Sequence, residues 1–174
     1  MVIIAGLAFM VYNNLIRLRN SVTRAWSNID VLLEKRYELI PNLVRIVRGY
    51  AQYEKTVLAD LARMRASWDD IKGSGMKDKM DTSNDMTATL KTLFARAENY
   101  PDLKADKEFV EVQNELAEIE NEIADSREFY NDSVKIYNTS IAVVPYSMFA
   151  RLLGYGALPY FEAEVDGKRA VGAE

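Results

Sequence analysis

The sequence predicts an all-α protein: an elongated up-and-down bundle of about four helices, the first very long and kinked at a proline. Three observations carry this. Over residues 12–54, apolar or aromatic side chains recur every three or four positions: Leu15, Leu18, Val22, Ala25, Ile29, Leu32, Leu39, Leu43, Ile46 and Tyr50. Over residues 103–141 the pattern returns with Phe109, Val112, Leu116, Ile119, Ile123, Tyr130, Val134, Tyr137 and Ile141. Such spacing, sustained over many turns, marks amphipathic helices with a coiled-coil-like seam. Only four Pro and eight Gly interrupt 174 residues, too few turn-formers for a many-stranded sheet.

The elements follow in order. Residues 2–12 (VIIAGLAFMVY) are uncharged and almost wholly apolar. As a helix they span ~16 Å, against the ~30 Å of a bilayer core. Continuing through Leu15, Ile16 and Leu18 brings the segment close to spanning, with Arg17 and Arg19 snorkelling to the interface. A membrane-associated segment over residues 1–18 is the expectation; a buried helix end and a signal remnant are the competing readings. A signal peptide fits poorly, for want of a basic n-region and a small-residue cleavage site. Arg17, Arg19 and Arg24 follow before any acid, which places the helical body in the cytoplasm if the segment is an anchor.

Pro41 lies inside the first rod. The apolar seam keeps phase across it, so a kinked continuation to near Trp68 is expected. Residues 72–85 (KGSGMKDKMDTSND) read as a polar loop, with Thr82 or Ser83 capping the next helix. That helix carries Met86, Leu90, Leu93, Phe94 and Ala97 on one face and stops at Asn99-Tyr100-Pro101. The second long rod, 103–141, ends before Pro145. A short apolar helix follows over 146–153, broken by Gly154 and Gly156. Residues 158–161 (LPYF) form an apolar patch, expected to lie back on the bundle or touch a membrane surface. Residues 163–174 read as a flexible tail.

Composition removes several function classes. With no Cys and no His, the chain has no thiolate chemistry, no His-based acid–base catalysis and none of the usual zinc sites. It has neither a nucleophile elbow nor a phosphate-cradling glycine loop. Residues 1–65 carry ten basic and five acidic side chains, and the rest twelve and twenty-one. A basic first rod against an acidic second rod favours antiparallel pairing, within a molecule or between copies. The basic residues are interleaved with acids and lack a recognition motif, so nucleic acid is not an expected partner.

Several phrases then align with one family: YNNLIRLRNSVTRAWSNIDVLLEKRYELIPNLVRIVRGYAQYE (12–54), ENYPDLKADKEFVEVQNELAEIENEIADSREFYNDSVKIYN (98–138), Pro145 and Phe161-Glu162. The chain resembles the LemA family of bacterial membrane-anchored helical proteins over residues 12–162. The resemblance implies a short N-terminal segment in the bacterial inner membrane and an all-helical body. It implies no established enzymatic activity, and no cofactor is expected.

The polar residues near the seams are the remaining candidates. Tyr130-Asn131 and Tyr137-Asn138 repeat after seven residues, so both Asn share one helix face. Asn121 and Arg127 lie on the same rod. On the first rod Asp30, Arg36, Asn42 and Glu54 sit at or beside the seam. An interior hydrogen-bond network that fixes register between rods is one reading, with Asn131 and Asn138 buried against the first rod. A ligand or ion site in the bundle and a self-association surface are the others. The functional expectation is a membrane-tethered, self-associating scaffold without catalysis, which presents helical faces to lipid, to its own copies or to other membrane proteins. Alternatives are a membrane-remodelling coat with clustered apolar tips, and a helical bundle that binds a small ligand or ion.

Overall fold

The computed structural model describes residues 2–50 and 55–162. Among them are six helices and no strand: α1 (Val2–Gly49), α2 (Lys55–Ile71), α3 (Met76–Ala97), α4 (Pro101–Lys104), α5 (Lys107–Ala142) and α6 (Tyr146–Leu152). The protein is all-α, with the two long rods at α1 and α5. The apolar stripes read from the sequence are the buried faces of these rods.

Helix α1 runs unbroken through Pro41, whose ring sits on the exposed face while Ile40 and Leu43 beside it are buried. The first rod does not continue to Trp68, however. It stops at Gly49, where the Tyr50 N–H donates to the Val47 carbonyl and tightens the last turn (3.2 Å). The C-terminal end of α2 lies against the middle of α1: Trp68 stacks on Tyr37 with ring centres 5.6 Å apart, and the Tyr37 hydroxyl donates to Asp69 (2.7 Å). Two helices therefore replace the expected single rod. The kept phase of the apolar residues reflects burial of both helices in one core, a signal that continuity of the helix does not need.

The expected loop over 72–85 is also shorter. Only the Lys72-Gly73-Ser74-Gly75 turn separates α2 from α3. Asp, Ser, Thr and Asn are weak helix formers because their side chains compete for the backbone. Here burial of Met80 and Ser83 overrides that preference. Thr82 and Ser83 lie inside α3, and Gly75 holds the N-cap position. Pro101 opens the single turn α4. Asp106 then starts α5 by accepting from the Phe109 N–H (3.0 Å), an N-cap to its third residue.

The described residues form two compact units. One comprises Leu32–Glu122, with a core that joins Leu43, Val47, Leu61, Met86, Leu93, Leu103, Phe109 and Leu116. The other comprises α1 up to Val31, α5 from Ile123, α6 and the segment through Phe161. In this unit α5 runs antiparallel to α1. Trp26 meets Tyr130 edge to face, with ring centres 5.8 Å apart, and Asn14 donates to the Tyr146 hydroxyl (2.6 Å). Helix α6 ends in a Schellman turn: the Tyr155 N–H reaches the Ala150 carbonyl (2.8 Å), and Gly154 takes the left-handed conformation (φ 68°) that a side chain would resist. Among the described residues no helix is long and apolar enough to cross a membrane.

Candidate functional site

Two polar constellations occupy the two units. The first is centred on Arg36. Seven-residue spacing puts Ile29, Arg36 and Leu43 on one line of α1, so Arg36 fills a core position and is fully buried. Its Nη1 donates to Glu120 Oε2 on α5 (2.6 Å) and to Thr87 Oγ1 on α3 (3.0 Å). Its Nη2 donates to the Ser83 hydroxyl (2.7 Å) and the Ser83 carbonyl (3.1 Å). Ser83 and Thr87, one turn apart, present one polar face of α3. The Thr87 hydroxyl closes the ring on Glu120 Oε1 (2.9 Å), a charge-assisted bond. Burial pushes the guanidinium down from its ordinary value and the Glu120 carboxylate opposes that shift, so the group stays charged. Three helices are tied at one level by a buried ion pair. Arg45 and Glu108 make a second α1–α5 pair on the surface (2.8 Å), worth under about 1 kcal/mol.

The second constellation is a ladder. The extended segment after α6 lies along α5 and is held by the Tyr-Asn repeat. The Asn138 side chain donates to the Leu158 carbonyl and accepts from the Leu158 N–H, both at 2.9 Å. Asn131 does the same for Phe161, at 3.0 and 2.8 Å. The Tyr130 hydroxyl donates to the Pro159 carbonyl (2.9 Å) and Tyr137 to that of Gly156 (3.2 Å). A primary amide carries one acceptor and a donor group side by side, so each Asn stands in for a strand residue. The register is geometric. Seven helical residues rise ~10.5 Å, and three extended residues span ~10 Å. Phe161, buried at the end of the ladder, packs on Trp26 and lies 4.1 Å under the Arg127 guanidinium.

Burial raises the Tyr130 hydroxyl from its ordinary value to about 12, and shifts Tyr137 in the same direction. A folded-state value above the unfolded one means that this contribution is complete below about pH 10 and is lost as pH rises towards 12. Tyr130→Phe, which loses one hydrogen bond, is expected to be about 1 kcal/mol less stable than the parent near neutrality. Urea midpoints taken across the alkaline window should show the gap close, because the variant has no phenol there to ionise.

The sequence-predicted residues thus divide. Arg36 is in the first constellation; Arg127, Asn131 and Asn138 are in the second. The partners of both Asn are the backbone of the extended segment, in place of the expected first rod, and both are half-buried. Asp30 is half-buried on α1, while Asn42 and Asn121 are exposed. Glu54 lies outside the described residues. Arg17 is exposed, and Arg19 stacks over the Tyr155 ring at 4.3 Å. Ser83, Thr87 and Glu120 were missed. The available signal was a charged residue in a core slot of α1, which demands a polar partner at the same level of each facing helix.

The LemA family profile matches residues 25–173. The chain belongs to the LemA family. The matched region contains both constellations, so the buried ion pair and the Tyr-Asn ladder lie within this LemA domain. No curated protein matches the chain. Among the described residues no group of three or more His, Cys, Asp or Glu side chains could hold a metal ion. A groove of about 370 Å³ between α2 and α3 is lined by Asp60, Arg63, Ser67, Thr82 and Asp85. None of the candidate site residues among the described residues lines it.

Proposed function

We propose that this LemA-family chain is a non-enzymatic scaffold tethered to a membrane through the start of α1. One observation carries the reading. Val2 and Ile3 are 87% exposed, Phe9 and Met10 71% and Leu7 56%, so among the described residues the first turns of α1 present a large apolar surface that is left uncovered. Among the described residues, Val11 and Leu15 are the first fully buried side chains of α1. Apolar surface of this extent marks an interaction site. The arginines that follow, with no acid before Asp30, suit the anionic headgroups of a bilayer. Self-association is favoured by a separate feature: Phe129 and Ile136, two turns apart on α5, are 60% and 56% exposed. Two outward apolar residues at heptad spacing suit a seam between copies.

One experiment tests both parts: flotation of the full chain with phosphatidylcholine vesicles, with and without phosphatidylglycerol, followed by sedimentation of the bound fraction in mild detergent. Each inserted apolar side chain contributes about 1.5–3 kcal/mol. Leu7→Asp with Phe9→Asp is therefore expected to weaken vesicle binding by about a hundredfold or more. Unchanged flotation would remove the tether from the reading. Phe129→Lys with Ile136→Lys should float as before but sediment at lower mass.

A further inference from the structure

The turn from α5 to α6 brings a second apolar surface to the end of the unit that holds the α1 tip. Asn14 bonds Tyr146 at 2.6 Å, so α6 begins level with Asn14. That is four residues, ~6 Å along the helix, from the exposed tip at Met10. On this corner Val143 is 50% exposed, Val144 76%, Met148 68% and Leu152 83%. Met148 and Leu152 are one turn apart on the same face of α6, and Arg151 beside them is exposed. The inner side of α6 is seated by Ala150, which is buried.

The charge pattern says what covers the corner. Residues 1–29 and 133–161, all in this unit, contain Arg17, Arg19, Arg24, Lys135 and Arg151 and no acid. Its acids, Asp30, Asp125, Glu128 and Asp132, all lie at the other end. An apolar surface set among basic side chains alone fits an anionic lipid interface. A second copy would meet it with the same positive charge.

We propose that the corner 143–153 is a shallow lipid-contacting element beside the tip. Val143, Val144, Met148 and Leu152 rest at the level of the headgroups and first methylenes, and Arg17 and Arg151 reach the phosphates. The body is then held at two points, which fixes its orientation on the bilayer as well as its attachment. The inference rests on the tether reading above, and the test lets each fail alone.

The chain has no cysteine, so Leu152→Cys and Ile3→Cys each provide a single site for an environment-sensitive fluorophore. With phosphatidylglycerol-containing vesicles, the probe at 152 is expected to shift blue and to be quenched by nitroxide lipids labelled near the headgroup. The probe at 3 should respond to deep nitroxides. Met148→Glu with Leu152→Glu, both at exposed positions, is expected to keep the helical circular dichroism of the parent and to weaken vesicle binding about tenfold. A probe at 152 that stays aqueous while the probe at 3 is quenched overturns the corner and leaves the tether standing. Quenching at 152 alone supports the corner and overturns the tether. Aqueous probes at both positions overturn both. A blue shift at 152 without vesicles that grows with protein concentration assigns the face to a second copy and overturns the proposal.

Discussion

Glu120→Gln is expected to destabilise the fold by about 2–4 kcal/mol, and Arg36→Met by only about 1 kcal/mol, although Arg36 is the more buried partner. The difference lies in what each change leaves behind. Removing one partner of a buried pair costs about 3–5 kcal/mol when an uncompensated charge remains inside. Glu120→Gln leaves the Arg36 guanidinium, which is fully buried, with only neutral acceptors at Ser83 and Thr87. The Glu120 side chain is 32% exposed, so some water reaches the site and lowers the expected cost to about 2–4 kcal/mol. Arg36→Met leaves a carboxylate that can hydrate through that same opening. The unbranched methionine fills much of the arginine stem's volume, and Ser83 and Thr87 lose one partner each. Replacing a buried ion pair by well-packed apolar groups is often close to neutral. The double variant should therefore be more stable than Glu120→Gln alone, a coupling that additive effects would not produce. Urea unfolding followed by circular dichroism, read as a midpoint change at constant slope, gives all three values. A larger loss for Arg36→Met than for Glu120→Gln would mean that the arginine acts through its shape and hydrogen bonds, and that its charge carries little of the cost.

The same residue shows what the sequence did and did not make legible. The all-α class, the two long rods and their core faces follow from periodicity, because burial enforces it wherever one helix face is covered. Arg36 also stood out, as a charge in line with Ile29 and Leu43. Its partners did not, because Ser83 lay in a stretch rich in Asp, Ser, Thr and Asn whose local preference is for turn. Only the packing of Met80 and Ser83 into the core makes that stretch helical. Likewise the end of α1 at Gly49 was hidden by an apolar phase that two antiparallel helices satisfy as well as one. The Tyr-Asn repeat was visible on one face of α5. Its partner was not, because the backbone of an extended segment carries no side-chain pattern by which a facing amide could recognise it. Leu158 and Phe161 are three residues apart, and only the match between helical and extended rise connects them to Asn138 and Asn131.

That match makes Asn131→Asp the sharpest test of the ladder. Aspartate has the shape of asparagine and keeps an oxygen for the Phe161 N–H. It replaces the donating Nδ2, 3.0 Å from the Phe161 carbonyl, with a second acceptor. One hydrogen bond is lost and two oxygens are left facing each other, with a charge placed in a half-buried position. A lost bond with an unsatisfied partner costs about 1–3 kcal/mol, and the repulsion adds to it. The expected total is about 3 kcal/mol, concentrated on the segment that ends at Phe161. Asn131→Ala, which removes both bonds but adds no repulsion, should cost less than Asn131→Asp. Hydrogen exchange separates local release from general weakening: the Leu158 and Phe161 amides should exchange about a hundredfold faster or more. Amides in the Leu43–Phe109 core of the other unit should keep their protection. Release also withdraws the Phe161 ring from Trp26 and from beneath Arg127, so a red shift in tryptophan emission should accompany it. Equal loss of protection in both units would show that the ladder is needed for the whole fold. Unchanged exchange at Phe161 would show that Trp26 and Arg127 hold the ring without the asparagine, and that the side-chain pairing is incidental to its docking.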